Sequence, residues 1–246
     1  MFYGWRVVAG AFAGMVLGNG IFTYGFTLLV DPIRQEFGVS LEDVMYSLSL
    51  GTLFGLVVAP ATGMLVDRYS IRTLMTLGCL VTAAGLYAIS NATTILTFNV
   101  LVGVTMALSL ASISSMPGSA AVSRWFTASR GRALGIATMG SSLGGVIVPA
   151  LMAWWIEQYG WRATLQYLAL SACLLVMPFI WLTVRSRPED VGLQPEPTTD
   201  PAIGAAGHAA DHVLGMNEIV RMREFWLIGL SMGCVFAAFS SMLANL

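Results

Sequence analysis

Long uncharged stretches separate the few charged residues of this chain. Four of them hold 22 to 24 uncharged residues each, from Arg6 to Asp31, Asp43 to Asp67, Arg132 to Glu157 and Arg162 to Arg185. The hydrocarbon core of a bilayer excludes charge, and a helix needs about 20 residues to cross it. Each stretch therefore predicts one membrane-spanning helix.

A fifth stretch, between Arg72 and Arg124, holds 51 uncharged residues and is too long for one crossing. The polar sequence Ser-Asn-Ala-Thr-Thr at 90–94 lies near its middle and predicts a tight turn between two helices. Six spans are then predicted within an N-terminal region 1–184, at about 7–30, 44–66, 73–90, 95–117, 133–156 and 163–184. Charged residues make up 10% of the chain, against about 25% in soluble domains. We expect an all-α, polytopic membrane protein.

The character of the sequence changes after Arg185. Residues 185–224 contain four prolines, seven acidic residues and a Gly/Ala/His-rich centre, which predicts a linker with a short amphipathic helix near 212–223. A seventh apolar run occupies 225–246 and is still apolar at Leu246. We expect an incomplete seventh span and a chain that is truncated.

The arginines are distributed unevenly between the predicted loops. If the N-terminus is cytoplasmic, ten of the 12 basic residues, all of them arginines, lie on the cytoplasmic side, and only Arg34 and Arg162 lie outside. This asymmetry predicts a cytoplasmic N-terminus in the cell membrane, the inner membrane of a bacterium. The net charge of −1 argues against a nucleic-acid partner, which requires a basic surface.

The sequence offers little for catalysis or metal binding. Cys79, Cys173 and Cys234 lie singly in separate apolar runs, as packing residues do. His208 and His212 have helical i, i+4 spacing, but they lie in the acidic linker without a cysteine nearby, which favours a solvated segment over a metal site. No Ser/His/Asp set, phosphate loop or paired buried carboxylates is present. We expect neither enzymatic activity nor a cofactor or metal.

Small residues recur at four-residue spacing in three predicted helices. They are Gly10, Gly14 and Gly18 in the first span, Gly51, Gly55, Ala59 and Gly63 in the second, and Gly140 and Gly144 in the fifth. Such stripes let helix backbones approach closely in lipid, and they also let helices slide past one another. Plain packing is the simpler interpretation of any one stripe.

A charged turn, defined here as residues 63–74, lies between the second and third spans. Its sequence, Gly-Met-Leu-Val-Asp-Arg-Tyr-Ser-Ile-Arg-Thr-Leu, places Asp67, Arg68 and Arg72 at the edge of the hydrocarbon. Charges there are costly, so we expect them to be paired with each other or with a helix end. An interfacial helix cap flanked by positive anchors would account for the turn without further function.

The charged turn resembles the signature of the major facilitator superfamily, G-x-L-x-D-R-x-G-[R/K]-[R/K]-x-[L/I]. Matching residues are Gly63, Leu65, Asp67, Arg68, Arg72 and Leu74, whereas Ser70 and Ile71 depart from the pattern. Four further stretches resemble the bacterial monocarboxylate transporter and oxalate:formate antiporter-like groups: 3–8, 124–136, 160–162 and 187–193. The resemblance covers essentially the whole chain.

The resemblance implies the N-terminal six-helix bundle of that fold, built from two inverted three-helix repeats. Spans one and four would line a central cavity, spans two and five would meet a C-terminal half absent from this chain, and transport would be a rocking of the halves. Asp67 would pair with Arg68 or Arg72 and meet a helix end of the other half, closing the cytoplasmic side. Losing one cation at Ile71 would weaken that closure.

Substrate chemistry is only partly visible in the sequence. A carboxylate in low dielectric needs a positive partner, and no charged residue lies inside any of the six spans. The remaining polar candidates are Asn19 and Tyr24 in span one, Ser109, Ser112 and Ser115 in span four, and Ser141 and Ser142 in span five. A serine in a membrane helix usually bonds its own backbone, so Asn19 and Tyr24 are the better candidates.

The sequence therefore predicts a secondary transporter of a small organic anion, such as a monocarboxylate, with solute, lipid and the C-terminal half as partners. Two alternatives remain open. One is a non-transporting half-module that serves as a scaffold or dimerises to complete a pore. The other is a transporter of a neutral or cationic solute, which the charges of the absent helices would reveal.

Overall fold

The computed structural model describes residues 2–194, 196 and 222–244, and the chain divides into two compact units, Met1–Thr198 and Thr199–Leu246. Every regular element among the described residues is helical. The elements are α1 Gly4–Asn19, a π-helical segment Gly20–Gly25, α2 Thr27–Phe37, α3 Leu41–Arg68, α4 Ile71–Ser90, α5 Ile95–Ile113, α6 Ser115–Trp125, α7 Arg130–Ser171, a second π-helical segment Ala172–Val176, α8 Met177–Thr183, a 3-10 turn Pro188–Val191 and α9 Arg223–Ala244.

Six apolar rods make up the first unit. The first joins α1, its π-helical segment and α2, and the fourth joins α5 and α6 across a backbone break at Ser114. Gly160 divides α7 at φ 78° and ψ 167°, a conformation that is essentially restricted to glycine. Residues 130–159 therefore form the fifth rod, and 161–171 continue through α8 as the sixth. Among the described residues, five helices could cross a membrane by length and composition, because Arg130–Thr183 counts as one across Gly160.

Hydroxyl side chains fix where the second, third and fourth rods begin. Ser40 accepts a hydrogen bond from the backbone N–H of Asp43, whose carboxylate accepts one in return from the N–H of Ser40. Ser70 caps α4 and Thr94 caps α5 in the same way, each accepting from a backbone N–H three residues on. These caps satisfy N–H groups that have no partner within the helix.

Glycines let the first and fifth rods approach closely. A Cβ atom on Gly140 would lie 2.5 Å from the carbonyl oxygen of Phe12, and one on Gly144 would lie 2.6 Å from that of Val16. By contrast, a Cβ on Gly55 of α3 would meet no atom within 4 Å. Only 17% of the most apolar part of α3 is buried in this structure, against 61% for the first rod. The small-residue stripe of α3 is therefore open at Gly55, although Gly51 is buried against Met106 of α5, whereas that of α7 is packed.

One hydrogen-bonded network around a charged pair joins the turns at 36–40, 90–94 and 158–162. We call this the opposite end of the bundle, because it lies at the other end of the rods from residues 63–74. The guanidinium of Arg162 donates to Glu36 Oε1 from Nε at 3.0 Å and from a terminal nitrogen at 2.7 Å. It also donates to the carbonyl oxygens of Ser90 and Ala92. Trp161 Nε1 donates to Glu36 Oε2 at 2.6 Å. The first, third and sixth rods are thus tied by one arginine.

The described part of the second unit is the single helix α9. It begins two residues before the seventh apolar run that the sequence predicts. Most of the predicted linker lies outside the described residues, as do His208 and His212. The predicted amphipathic helix near 212–223 also lies outside them, except for its last two residues.

Candidate functional site

The charged turn connects α3 and α4 by two extended residues. Asp67 and Arg68 end α3 with exposed side chains, and the backbone then extends at Tyr69 and at Ser70, the cap of α4. Within the described residues, ion pairs join only Arg34 to Asp31 and Arg162 to Glu36. The predicted pairing of Asp67 with Arg68 or Arg72 is therefore wrong.

Arg72 is held by a different neighbour. Its guanidinium carbon lies 3.5 Å from the centre of the Trp181 ring on α8, in a cation–π contact. Its backbone N–H points to Ser186 Oγ at 3.3 Å. The first turn of α4 therefore packs on α8 and on the residues that follow it, with Arg72 against Trp181.

A polar pocket of about 260 Å³ adjoins the charged turn. Its lining comprises Asp67, Arg68, Tyr69 and Ser70 from the turn, with Arg124, Ser186, Arg187 and Asp190 from elsewhere. Arg124 donates to the carbonyl oxygen of Val66 at 3.0 Å, where a cation is favoured by the helix dipole. This end of the bundle, formed by residues 63–74, 124–130 and 183–191, is called the motif end below.

The neighbours of the charged turn were missed in the sequence because they are far away in the chain. Arg124 and Arg187 stood out there only as members of two family-like stretches, 124–136 and 187–193. That signal alone places no side chain beside Asp67.

The two departures from the family pattern have structural explanations. Ser70 both caps α4 and shares a hydrogen bond of 2.8 Å with Ser186 Oγ. Ile71 is completely buried in the core, where a basic side chain would lose its hydration without a partner. Ile71 therefore serves packing at a position where the family pattern has a cation.

Asn19 directly precedes the π-helical segment of the first rod, and Tyr24 lies within it. Asn19 Nδ2 donates to Ser114 Oγ at 2.9 Å, which links the first rod to the break in the fourth. Tyr24 is 42% exposed, and its ring packs on Gly145 of α7. π-Helical turns are frequent at functional sites, and this one carries the two better polar candidates.

The serine candidates separate into two groups. Ser109 is completely buried and accepts a hydrogen bond of 2.9 Å from Thr82 Oγ1, so it ties α4 to α5 and does not face a cavity in this structure. Ser112 donates to its own helix at the carbonyl of Leu108 and borders an apolar pocket between α3, α4 and α5. Ser141 is half-buried and Ser142 and Ser115 are exposed.

A larger cavity, of about 950 Å³, lies between α1, α7 and α8. Its lining is apolar apart from Ser171, and none of the candidate residues contributes to it. Such a surface suits hydrocarbon chains and offers no partner for a carboxylate. We therefore place the candidate site at the π-helical segment and the charged turn.

Comparison with known proteins identifies the family. The sequence model of the Major Facilitator Superfamily matches residues 2–246. The chain belongs to the major facilitator superfamily. Members of this family bind small-molecule solutes and lie in lipid bilayers, so this is a multi-pass membrane protein. The family prediction is thereby confirmed.

Two curated relatives illustrate the range of major facilitator proteins that the chain is similar to. The riboflavin transporter RibJ of Trypanosoma cruzi is 32% identical over 174 residues, which are 66% of this chain and 35% of the relative. Monocarboxylate transporter 4 of Rattus norvegicus is 30% identical over 179 residues, 70% of this chain and 36% of the relative. The chain thus spans about a third of the length of these relatives.

A solved major facilitator structure has the same fold. It is a bacterial homologue of the human lysosomal transporter Spinster, in an inward-facing and unoccupied conformation, with a TM-score of 0.57 and 19% identity. The match covers 89% of this chain and 48% of that one. The predicted fold class, an all-α membrane bundle like the N-terminal half of a major facilitator protein, is confirmed.

Proposed function

We propose that the chain is the N-terminal half of a secondary transporter that moves a small organic anion, of the monocarboxylate class, by alternating access. The observation that carries this proposal is the exposed pair Asp67 and Arg68 at the end of α3, which has no ion-pair partner among the described residues. Charged groups at a membrane boundary are stable only when they are paired or hydrated. A helix end of a second half would provide that partner in one of two alternating states.

The open face of α3 supports the same proposal. The stripe around Gly55 has room for the backbone of another helix, and close approach between small residues is how helices associate in lipid. Spans two and five would meet the second half, span two through this stripe. With the motif end in the cytoplasm, as the arginine asymmetry favours, contact at Asp67 would close the cytoplasmic side.

This half would supply neutral contacts to the substrate. Asn19 and Tyr24 offer an amide and a phenol at the π-helical segment of the first rod, and Ser141 lies on the fifth rod. Since none of the six spans contains a charged residue, the positive group that a carboxylate requires would come from the second half. Monocarboxylate transporter 4, at 30% identity, supports this substrate class.

A neutral solute is the second candidate. The polar groups at the π-helical segment are uncharged, and a relative of similar identity, 32%, is named as a riboflavin transporter. A flat heterocycle could stack on Tyr24 and accept hydrogen bonds from neutral donors without any cation in the pathway.

Uptake into proteoliposomes distinguishes the two candidates. The protein expressed from its complete gene would be reconstituted and supplied with labelled lactate or labelled riboflavin, with and without a proton gradient or internal counter-anion. We expect saturable lactate uptake that depends on one of these gradients. Uptake of riboflavin alone would favour the neutral-solute transporter, and the absence of lactate uptake would reject the anion proposal.

Asp67→Asn tests the gating role of the charged turn. Loss of the charge-assisted hydrogen bonds of the closed state costs about 1.5–3 kcal/mol. We therefore expect the rate at which labelled lactate exchanges with the internal counter-anion, called exchange below, to fall at least about tenfold. Asp31→Asn is the matched control, because Asp31 forms only an exposed pair with Arg34 at 3.6 Å. Wild-type exchange by Asp67→Asn, at equal membrane insertion, would exclude the gating role.

A further inference from the structure

The segment that follows α8 is bound tightly across the motif end. We call it the strap and define it as residues 185–194 together with Glu196. Its first anchor is Trp125, a completely buried residue at the end of α6. Trp125 Nε1 donates to the carbonyl oxygen of Arg185 at 3.0 Å, so the strap starts in a fixed place beside the fourth rod.

The second anchor joins the strap to the charged turn. Ser186 is 7% exposed, and its hydroxyl shares a hydrogen bond of 2.8 Å with Ser70 Oγ. The same oxygen lies 3.3 Å from the backbone N–H of Arg72. Ser186 therefore contacts both the cap and the first turn of α4. These contacts hold the charged turn where the chain enters that helix.

The third anchor is Glu196. Its carboxylate accepts hydrogen bonds of 2.8 to 2.9 Å from the N–H and the hydroxyl of Ser129. Its own N–H donates to the carbonyl of Trp125, and its carbonyl accepts from Thr127 Oγ1. Because α7 starts at Arg130, the carboxylate lies at the positive end of that helix, where a negative charge is favoured.

The three anchors connect the charged turn to the fourth and fifth rods through one short segment. Ser70 departs from the family pattern, and its hydroxyl is the group that Ser186 holds. A glycine at 70 would leave Ser186 without its side-chain partner. The departure at Ser70 and the strap are therefore one structural feature of this chain.

We propose that the strap positions the charged turn, with Ser186 as the positioning residue and Glu196 as the group that keeps the strap in place. The strap stays bound while the halves rock, so that Asp67 is presented at a fixed height to its partner. This inference rests on the gating role proposed for Asp67. It assigns to the strap a function in transport beyond linking two halves.

A reversible covalent bond tests the proposal. In the complete protein with its other cysteines replaced, Ser70→Cys and Ser186→Cys would be combined. Mild oxidation removes two electrons and two protons from the thiols and joins them, and dithiothreitol reverses this. We expect the disulfide to form, because the two side-chain oxygens are 2.8 Å apart. Its formation is measured by the loss of two maleimide-reactive thiols.

Exchange rates then report on positioning. We expect Ser186→Ala and the reduced cysteine pair to exchange about fivefold more slowly than wild type, the effect of losing one hydrogen bond. The oxidised pair should return to the wild-type rate, because the disulfide replaces that hydrogen bond. The disulfide should also raise the apparent melting temperature. A return of the exchange rate to the wild-type value, while the melting temperature rises above that of wild type, therefore distinguishes positioning from a general effect of stability.

A matched pair of substitutions tests the third anchor. Glu196→Gln should slow exchange about threefold, because a neutral amide is held less strongly at the N-terminus of α7 than a carboxylate is. Glu189→Gln is the control, since Glu189 lies exposed on the same strap and its side chain has no hydrogen bond among the described residues. Equal rates for the two variants would contradict the role of Glu196.

The remaining outcomes overturn the proposal in distinguishable ways. A pair that does not cross-link, or an oxidised pair that exchanges no faster than the reduced one, rejects positioning by the strap. Slow exchange by Asp67→Asn together with wild-type exchange by Ser186→Ala rejects the positioning role of the strap and keeps the gating role of Asp67. Wild-type exchange by Asp67→Asn removes the gate, and the strap's proposed role is lost with it.

Discussion

At the opposite end of the bundle Arg162 and Glu36 satisfy each other, whereas at the motif end Asp67 and Arg68 have no ion-pair partner within the part of the chain that the structure describes. Three residues surround the first pair: the indole of Trp161 donates to Glu36, and the carbonyl oxygens of Ser90 and Ala92 accept from Arg162. The second pair points to a polar pocket and to solvent. Both lie where apolar rods meet water.

The difference separates charges that stabilise the fold from charges that await a partner. The network at the opposite end ties three turns together through groups that are already hydrogen-bonded to one another. An exposed Asp and Arg at a helix end stay hydrated at little cost in free energy, and they can form new hydrogen bonds when another surface approaches. Substitutions at the two ends should therefore differ sharply in their effect on the melting temperature of the purified protein.

Arg162→Ala should have the largest effect. It removes two hydrogen bonds to Glu36 and leaves two carbonyls without a donor, so we expect a loss of about 2–3 kcal/mol, discounted for partial exposure. That corresponds to a fall of about 6 °C in apparent melting temperature. Arg34→Ala is the matched control, because Arg34 pairs only with Asp31 one helical turn away. Equal falls for the two variants would show that the network at the opposite end is not special.

Trp161→Phe should come next. Phenylalanine keeps an aromatic ring near Phe98, whose ring centre lies 6.0 Å from that of Trp161, but it cannot donate to Glu36. We expect a loss of about 1.5 kcal/mol, or about 4 °C. Trp154→Phe serves as control, since Trp154 is 54% exposed. A fall no larger than the control's would mean that the indole N–H contributes nothing to stability.

Acid should weaken the opposite end by a smaller amount. Burial by itself raises the pKa of Glu36, but the hydrogen bonds from Arg162 and Trp161 and the charge of Arg162 outweigh it, so the pKa lies below its ordinary value of 4.5. A lowered pKa in the folded state adds stability above the ordinary value, and that stability is lost as the pH falls through the lowered pKa.

The measurement is the melting temperature as the pH is lowered from neutral to below 4.5, the ordinary pKa of this carboxylate. Wild type should lose more of its melting temperature than Glu36→Gln, which has no carboxylate to protonate at this position. A variant that follows wild type throughout this range would show that Glu36 is not the group responsible.

Asp67→Asn should have the smallest effect on melting. Its side chain has no ion pair or hydrogen bond within the described residues, so we expect a change below about 1 °C. The same variant is expected to slow exchange strongly. A large fall in melting temperature would show that Asp67 is already bonded in the resting protein, and the comparison between the two ends would fail.

Particular residues show why some predictions succeeded. The fold class, an all-α membrane bundle, could be predicted because a bilayer core excludes charge, so that the gaps between charges indicate apolar helices. Gly160 shows the limit of that rule. The charges at Glu157 and Arg162 mark the turn in the sequence, but a positive φ at one glycine reverses the chain while the helical hydrogen-bond pattern nearly continues.

Side-chain partners could not be predicted in the same way. In the sequence, Arg162 appeared only as a charge outside the membrane and as part of the family-like stretch 160–162. Its three partners come from turns 70 to 126 residues away in the chain. Asp67 and Arg72 are five positions apart, yet they lie on two different helices, and Arg72 contacts Trp181 instead of Asp67. The hydrogen bond from Thr82 to Ser109 could not be predicted either, because the two residues lie on different helices, 27 positions apart in the chain.

The amino-acid sequence by itself determined that this chain forms apolar helices in a membrane and that it carries a family-like charged turn, because both follow from the order of charged and apolar residues. Only the tertiary structure decided which charges are satisfied and which remain available. Pairing depends on the distance and direction between side chains from separate rods, and local order does not fix those. In the sequence, Arg162 and Asp67 are both charges near helix ends. Packing gives Arg162 hydrogen-bond partners on two other rods and leaves Asp67 without an ion pair among the described residues.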